Sequence, residues 1–140
     1  MKKILLIIIT LLSLNFSCQE NDNIVEPTLS GKLDYLAYDT TGTLIVNGWL
    51  IVELKDSATA GGSWYLNNIN NRDDIGPQEG TGNLVGQIDG STITIDLNPG
   101  NADHNVFLNG TLINNGIEGE WVWSSFIGPT NWGTFKAVKN

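Results

Sequence analysis

Residues 84–97 read LVGQIDGSTITIDL and carry the clearest strand pattern in the chain. In the second half of this stretch Ile and Leu alternate with Thr and Asp, and period-two alternation is typical of a half-buried β-strand. Asp89-Gly90 is a strong signal for a two-residue hairpin turn, because a type I′ turn needs positive φ at both central positions. With this turn Ile88 pairs with Ser91, and the apolar residues of both strands share one face. The stretch therefore predicts an antiparallel hairpin with one buried face.

Residues 106–123 repeat this arrangement. Asn115-Gly116 is the second turn signal, and it pairs Asn114 with Ile117. Most apolar residues of both strands, including Trp121, then fall on one face and the charged residues fall on the other, with Phe107, Ile113 and Val122 as exceptions. The faces assigned from the two sides of each turn agree, which supports the hairpins, because a one-residue slip would turn every side chain to the other face.

A short repeat extends the strand pattern to the rest of the chain. No stretch after residue 28 shows a helical apolar period of useful length. We predict an all-β domain over residues 30–140, an eight-stranded antiparallel up-and-down barrel, with a β-sandwich as the alternative. Glycine two residues before an apolar residue recurs on the predicted inner face, as Gly31-Leu33, Gly48-Leu50, Gly62-Trp64, Gly86-Ile88, Gly110-Leu112, Gly119-Trp121 and Gly133-Phe135.

One segment of this repeat resembles a known group of barrels. Gly61-Gly62-Ser63-Trp64-Tyr65 is similar to the Gly-x-Trp strands of lipocalin-like and avidin-like proteins, the calycins. In those barrels the motif sits on the first strand, whereas here it falls on the third. The resemblance covers residues 30–138 and is architectural. It implies a small closed barrel, and no ligand-binding residue can be carried over from it.

The N-terminus predicts export. Two lysines precede the apolar run Ile4–Leu14, which is shorter than the roughly 20 residues that cross a bilayer. We interpret residues 1–17 as a signal peptide. Cys18 follows directly and resembles the lipobox cysteine of bacterial lipoproteins, although Asn15 stands where a leucine is usual. The alternative is a plain secreted protein in which Cys18 has no special role.

The lipoprotein resemblance implies where the chain is held. Cys18 would become the lipid-modified mature N-terminus, anchored to the cell envelope and expected at the outer membrane. Residues 18–29 are polar, acidic and without periodicity, which predicts a flexible tether. An acidic run after the cysteine also resembles the export signal of surface-exposed lipoproteins in some Gram-negative bacteria.

Composition excludes several classes of function. With a net charge of −8 and one histidine in 140 residues, the chain disfavours nucleic-acid binding and a histidine-rich metal site. A single cysteine excludes an internal disulfide and a CxxC site. No nucleophile, phosphate-loop or calcium-loop motif is present, and we expect no catalytic residue, no metal and no cofactor. Asp96 and Asp103 are candidate Ca²⁺ ligands, but their spacing matches no known loop.

Turn parity predicts where a ligand would bind. In a meander, successive connections lie at alternate ends, so the turn 39–42 and the long connections 67–80, 98–104 and 124–131 share one end, here called the mouth. Aromatic rings beside Asn and Asp suit a small polar ligand or glycan through stacking and planar hydrogen bonds. The candidate ligand-binding residues at the mouth are Arg72, His104, Trp123, Phe126 and Trp132.

We therefore expect a non-enzymatic, lipid-anchored envelope protein that binds a small polar ligand or glycan at the mouth. A protein-interaction module, such as an inhibitor of an envelope hydrolase, is the alternative, with its protein partner unknown. A hydrolase that uses Asp73, Asp74 or Glu120 with His104 is a third hypothesis with little support.

Overall fold

The computed structural model describes residues 29–140, in which eight strands form one closed antiparallel barrel. The predicted up-and-down barrel is confirmed and the sandwich alternative is wrong. The signal peptide, Cys18 and nearly all of the predicted tether lie outside the described residues. Residues 29–140 include no helix long and apolar enough to cross a membrane. The strands are β1 (Gly31–Asp39), β2 (Leu44–Leu54), β3 (Thr59–Asn68), β4 (Gly80–Asp89), β5 (Thr92–Asp96), β6 (His104–Ile113), β7 (Gly116–Ser125) and β8 (Gly128–Val138).

Both predicted hairpins form, but each register differs by two residues from the prediction. Ile88 pairs with Ile93, so the first turn is Gly90-Ser91, not Asp89-Gly90. The turn keeps a positive φ of 57° at Gly90, and the Thr92 hydroxyl donates to the Asp89 carbonyl at 2.8 Å. A shift of two residues leaves every side chain on its predicted face.

The second turn is Asn114-Asn115, and Leu112 pairs with Ile117. Gly116 belongs to β7, where it pairs with Ile113 and Val138, and a Cβ at this position would lie 2.0 Å from the Ala137 carbonyl oxygen. The neighbouring strand β8 therefore requires the glycine that the sequence pattern assigns to the turn.

Side chains fill the barrel interior. Two tryptophan side chains of the interior donate hydrogen bonds to backbone carbonyls. The indole N–H of Trp64 donates to the Leu97 carbonyl at 2.7 Å, and that of Trp121 donates to the Tyr38 carbonyl at 2.9 Å. Apolar residues of all eight strands are buried, and the largest of the fully buried side chains include Trp121, Tyr35, Leu33, Leu50, Leu66, Leu84, Ile93 and Ile95.

Candidate functional site at the loop-rich end

The mouth predicted from turn parity is present, with one correction. Connections 40–43, 69–79 and 97–103 lie at this end, and the chain enters at the other end through buried Leu29. The predicted long loop 124–131 is wrong, because β7 and β8 continue into it and leave a two-residue turn, Phe126-Ile127. The β7–β8 hairpin therefore projects its tip at the mouth.

The β3–β4 loop closes the mouth. Ile75 and Gln78 are buried, with exposed fractions of 1% and 0%. The Tyr35 hydroxyl donates to Gln78 Oε1 at 2.7 Å, and Gln78 Nε2 donates to the Ile75 carbonyl at 2.9 Å. Complete burial raises the pKa of Tyr35 far above its ordinary value, so the phenol keeps its proton and stays a donor even in alkaline solution. We call Ile75 and Gln78 the plug, and the β3–β4 connection 69–79 that carries them the plug loop.

Arg72 ties the plug loop to the β1–β2 turn. Its Nε and Nη2 donate to the two carboxylate oxygens of Asp74 at 2.7 and 2.6 Å, and Nη1 lies 3.2 Å from Asp39 Oδ2. Asn131 Nδ2 on β8 also donates to the Asp74 carbonyl at 2.6 Å. The guanidinium thus connects two loops, and we call Arg72, Asp39 and Asp74 the latch.

The latch shifts the titration of its acids. The hydrogen bond from Arg72 is the largest cause of the lowered pKa of Asp74. The pKa of Asp39 is lowered chiefly by hydrogen bonds from Thr41 and Thr43, with a smaller contribution from the charge of Arg72. All three guanidinium nitrogens of Arg72 face the carboxylates of Asp39 and Asp74. The role of Arg72 in the structure is therefore to hold the plug loop against the end of β1.

His104 and Trp123 do meet at the rim. Their ring centroids are 5.8 Å apart and the rings are nearly perpendicular, at 84°. Trp123 packs on the core, and a Cβ at Gly76 would lie 2.5 Å from its Cγ, so the plug loop rests directly on the indole. The indole N–H of Trp123 is buried and has no hydrogen-bond partner within residues 29–140.

The remaining two candidates lie on the surface of the β7–β8 hairpin. Phe126 is 86% exposed and its neighbour Ile127 is 95% exposed. Trp132 pairs with Val122 and is 54% exposed, so it does not fill the barrel. The five predicted residues therefore occupy three places: Arg72 in the latch, His104 with Trp123 at the rim, and Phe126 and Trp132 on the hairpin.

Residues that sequence reasoning missed build most of the mouth. Gln78, Ile75 and Asp39 lie in connections that were assigned to the mouth but were not among its candidate residues, yet they close the mouth or hold the loop that covers it. An isolated Ile75 in a polar loop was the one available signal, since a lone apolar residue there is a candidate anchor. The pairing of Tyr35 with Gln78 spans 43 positions and leaves no local pattern.

The described part of the chain contains no group of three or more His, Cys, Asp or Glu side chains that could hold a metal ion. Comparison with protein-family models, curated proteins and solved structures gives no match.

Proposed function

We propose that this chain is a lipid-anchored, non-enzymatic envelope protein that binds a protein partner through the tip of its β7–β8 hairpin. The observation that supports this proposal is the exposure of Phe126 and Ile127, which are 86% and 95% accessible. Large apolar side chains displayed together at the end of a protrusion are typical of interaction sites. In an interface such residues act as anchors in a partner's pocket.

The turn itself does not explain these two residues. Two-residue hairpin turns favour Gly, Asn and Asp, because these residues tolerate the backbone angles that the turn needs. In this hairpin the positive φ, 113°, falls on Gly128, so the turn accepts many residue types at positions 126 and 127, and neither side chain is buried in the barrel. Exposing them costs solubility, so we infer that they serve contact with another molecule.

The closed mouth favours a protein partner over a small ligand inside the barrel. The plug occupies the opening, and the donors of Arg72 are used within the latch. A small polar ligand or glycan at the mouth stays a prediction, with the rim pair His104 and Trp123 as its remaining support. An apolar tip fits the alternative better: a partner with a concave apolar cleft, of the kind an envelope hydrolase offers.

The direction of chain entry suits this role. Leu29 lies beside Leu54, Ile88 and Leu112 at the end opposite the hairpin tip. A lipid on Cys18 would hold that end toward the membrane and point Phe126 away from it.

Cys18→Ser should move the protein from the membrane fraction to the soluble fraction, and unchanged partition would contradict the lipid anchor.

Photo-crosslinking tests the partner directly. We would place a photoreactive phenylalanine analogue at position 126 of the full-length protein in its native cells. Position 85 is the matched control, because Val85 is an exposed apolar residue, 48% accessible, on the wall of the barrel. We expect a discrete protein adduct from position 126 that is absent from position 85. Adducts with lipid alone, or the same adducts from both positions, would overturn the proposal.

A further inference from the structure

A groove on the outer wall of the barrel carries polar and aromatic side chains of the kind that bind small molecules. It is an open depression with a volume of about 450 Å³ that crosses β8, β1, β2 and β3. Pockets of about 300–1,000 Å³ are the usual size for small-molecule sites. We call it the wall groove, and its polar and aromatic lining includes Asp34, Asn47, Trp49, Tyr65, Asn67 and Lys136.

Two aromatic rings lie side by side in the groove. Trp49 and Tyr65 are direct cross-strand partners, with ring centroids 6.0 Å apart and planes 25° apart. Lys32 Nζ lies 5.6 Å from the centre of the Trp49 ring. Tyr65 is 39% exposed, although it is a large aromatic residue. The two nearly parallel rings therefore form an aromatic patch on the outer wall, in a groove that Leu36 and Val138 also line.

An amide pair borders the rings. Asn47 and Asn67 are the next cross-strand pair that faces outward, and Asn67 Nδ2 donates to Asn47 Oδ1 at 3.2 Å. This bond leaves the second N–H of Asn67, its carbonyl oxygen and the amide nitrogen of Asn47 at an exposed surface. Within residues 29–140 the indole N–H of Trp49 and the hydroxyl of Tyr65 have no hydrogen-bond partner either.

Charge in the groove is balanced. Asp34 and Lys136 line it together, and Asn140 Nδ2 donates to the Asp34 carboxylate. The chain as a whole carries a charge of −8, which repels polyanions. A ligand that fits must offer an apolar face to the rings and many hydroxyl groups to the amides, without a strong charge of its own.

We propose that the wall groove is a binding site for neutral glycans built of hexose or pentose rings. The C–H face of such a ring stacks on an aromatic ring, and its hydroxyl groups bond in the plane to amides and carboxylates. A cross-strand aromatic pair also stabilises a sheet by itself. That role does not require the bordering amide pair or the hollow beside it.

This inference does not rest on the proposed function. The wall groove lies on the β8-β1-β2-β3 side of the barrel, whereas Phe126 and Ile127 form the tip of a hairpin at the mouth. A neutral glycan and a protein partner can therefore bind independently.

The experiment titrates the purified full-length protein with named probes. These are neutral gluco-, manno-, galacto- and xylo-oligosaccharides of three to six units, with oligoalginate as the anionic comparison. A zwitterionic detergent without a sugar headgroup keeps the lipid-bearing chain in solution. We expect at least one neutral probe to bind in the micromolar to low millimolar range, and we expect Trp49→Ala to weaken this binding at least about tenfold.

Two further variants separate binding from folding. Phe107→Ala is the matched control, because Phe107 faces outward on β6, four strands from β2. It should leave glycan affinity unchanged, whereas Asn67→Ala should weaken it several-fold while the unfolding curve stays as in the wild type. If Trp49→Ala does not fold, Asn67→Ala decides the question.

Three results would overturn the proposal: no neutral probe bound up to about 10 mM, an equal loss in Phe107→Ala, or tighter binding of oligoalginate than of every neutral probe. Phe126→Ser should bind the glycan as the wild type does. Loss of crosslinking at the tip and loss of glycan binding are thus separate outcomes.

Discussion

The buried hydroxyl of Tyr35 donates a 2.7 Å hydrogen bond to Gln78 Oε1, and this contact joins the barrel interior to the loop that covers it. Both residues are fully buried. A barrel wall that carries a polar group this deep needs the loop to satisfy it, because an unpaired buried polar group costs free energy. The loop in turn gains a fixed position over the mouth.

Removing the hydroxyl tests this dependence. Tyr35→Phe leaves Gln78 Oε1 buried without its donor and should lower the free energy of unfolding by about 1–3 kcal/mol. The double variant Tyr35→Phe with Gln78→Leu should cost less than the sum of the single variants, since it removes both partners. Urea unfolding measures all three. Tyr65→Phe on the outer wall is the control, and an equal loss there would contradict the buried-pair explanation.

The inner face of β7 is tested by two adjacent residues. Trp121 is fully buried and donates to the Tyr38 carbonyl, so Trp121→Ala should lower the free energy of unfolding by about 3–5 kcal/mol. Glu120 is exposed on the opposite face, and Glu120→Ala should change it by no more than about 0.5 kcal/mol. Similar losses in chemical unfolding at both positions would refute the assigned faces.

Gly76 in the plug loop and Gly80, the first residue of β4, distinguish packing from backbone strain. Gly76 and Gly80 both have positive φ, at 63° and 88°, but only Gly76 faces the Trp123 ring, whereas a Cβ at Gly80 would meet nothing within 4 Å. Gly80→Ala should cost only the backbone strain, about 1–2 kcal/mol. Gly76→Ala should cost about 1–3 kcal/mol more, because Trp123 must move. Equal midpoints in urea unfolding, together with equal protease sensitivity of the loop, would show that the loop does not rest on Trp123.

The latch should weaken in acid. The pKa values of Asp39 and Asp74 are lower in the folded chain than the ordinary value near 3.9. Their contribution to stability is therefore present above about pH 4 and is lost as pH falls through the lowered values. Stability measured by urea unfolding between about pH 7 and pH 3 should fall less steeply in Asp39→Asn and Asp74→Asn than in the wild type. Unchanged slopes in both variants would rule out a titrating latch.

How far the sequence predicted this structure depends on the range of each interaction. Alternation along one strand, as in residues 92–96, reports which face each side chain takes, and those faces were correct in both hairpins. The exact turn was wrong at Gly116, because the residue that demands glycine there is Ala137 on another strand. Register depends on neighbours that the local pattern does not contain.

The site residues show the same difference between local patterns, which the sequence reports, and long-range contacts, which it does not. His104 and Trp123 were expected at the mouth, and they contact each other at its rim. Arg72 does not act as a free ligand contact, because it pairs with Asp39 at the end of β1, and no spacing rule in the sequence joins these two residues. Trp49 and Tyr65 carried a signal that was missed: each sits one position from an inward residue, so each is an aromatic on the outward face.

The pairing of β1 with β8 has a consequence for how the chain folds. Asp34 pairs with Val138 near the opposite ends of the described chain, so the cylinder closes only when its last strand is available. Contacts between distant residues form slowly, because the intervening loop must close first. A chain emerging from a ribosome or a secretion channel therefore cannot complete this barrel until its C-terminal residues are free. The nascent chain therefore stays unclosed during synthesis, and for the export proposed above an unclosed chain is the state that can pass through a narrow channel.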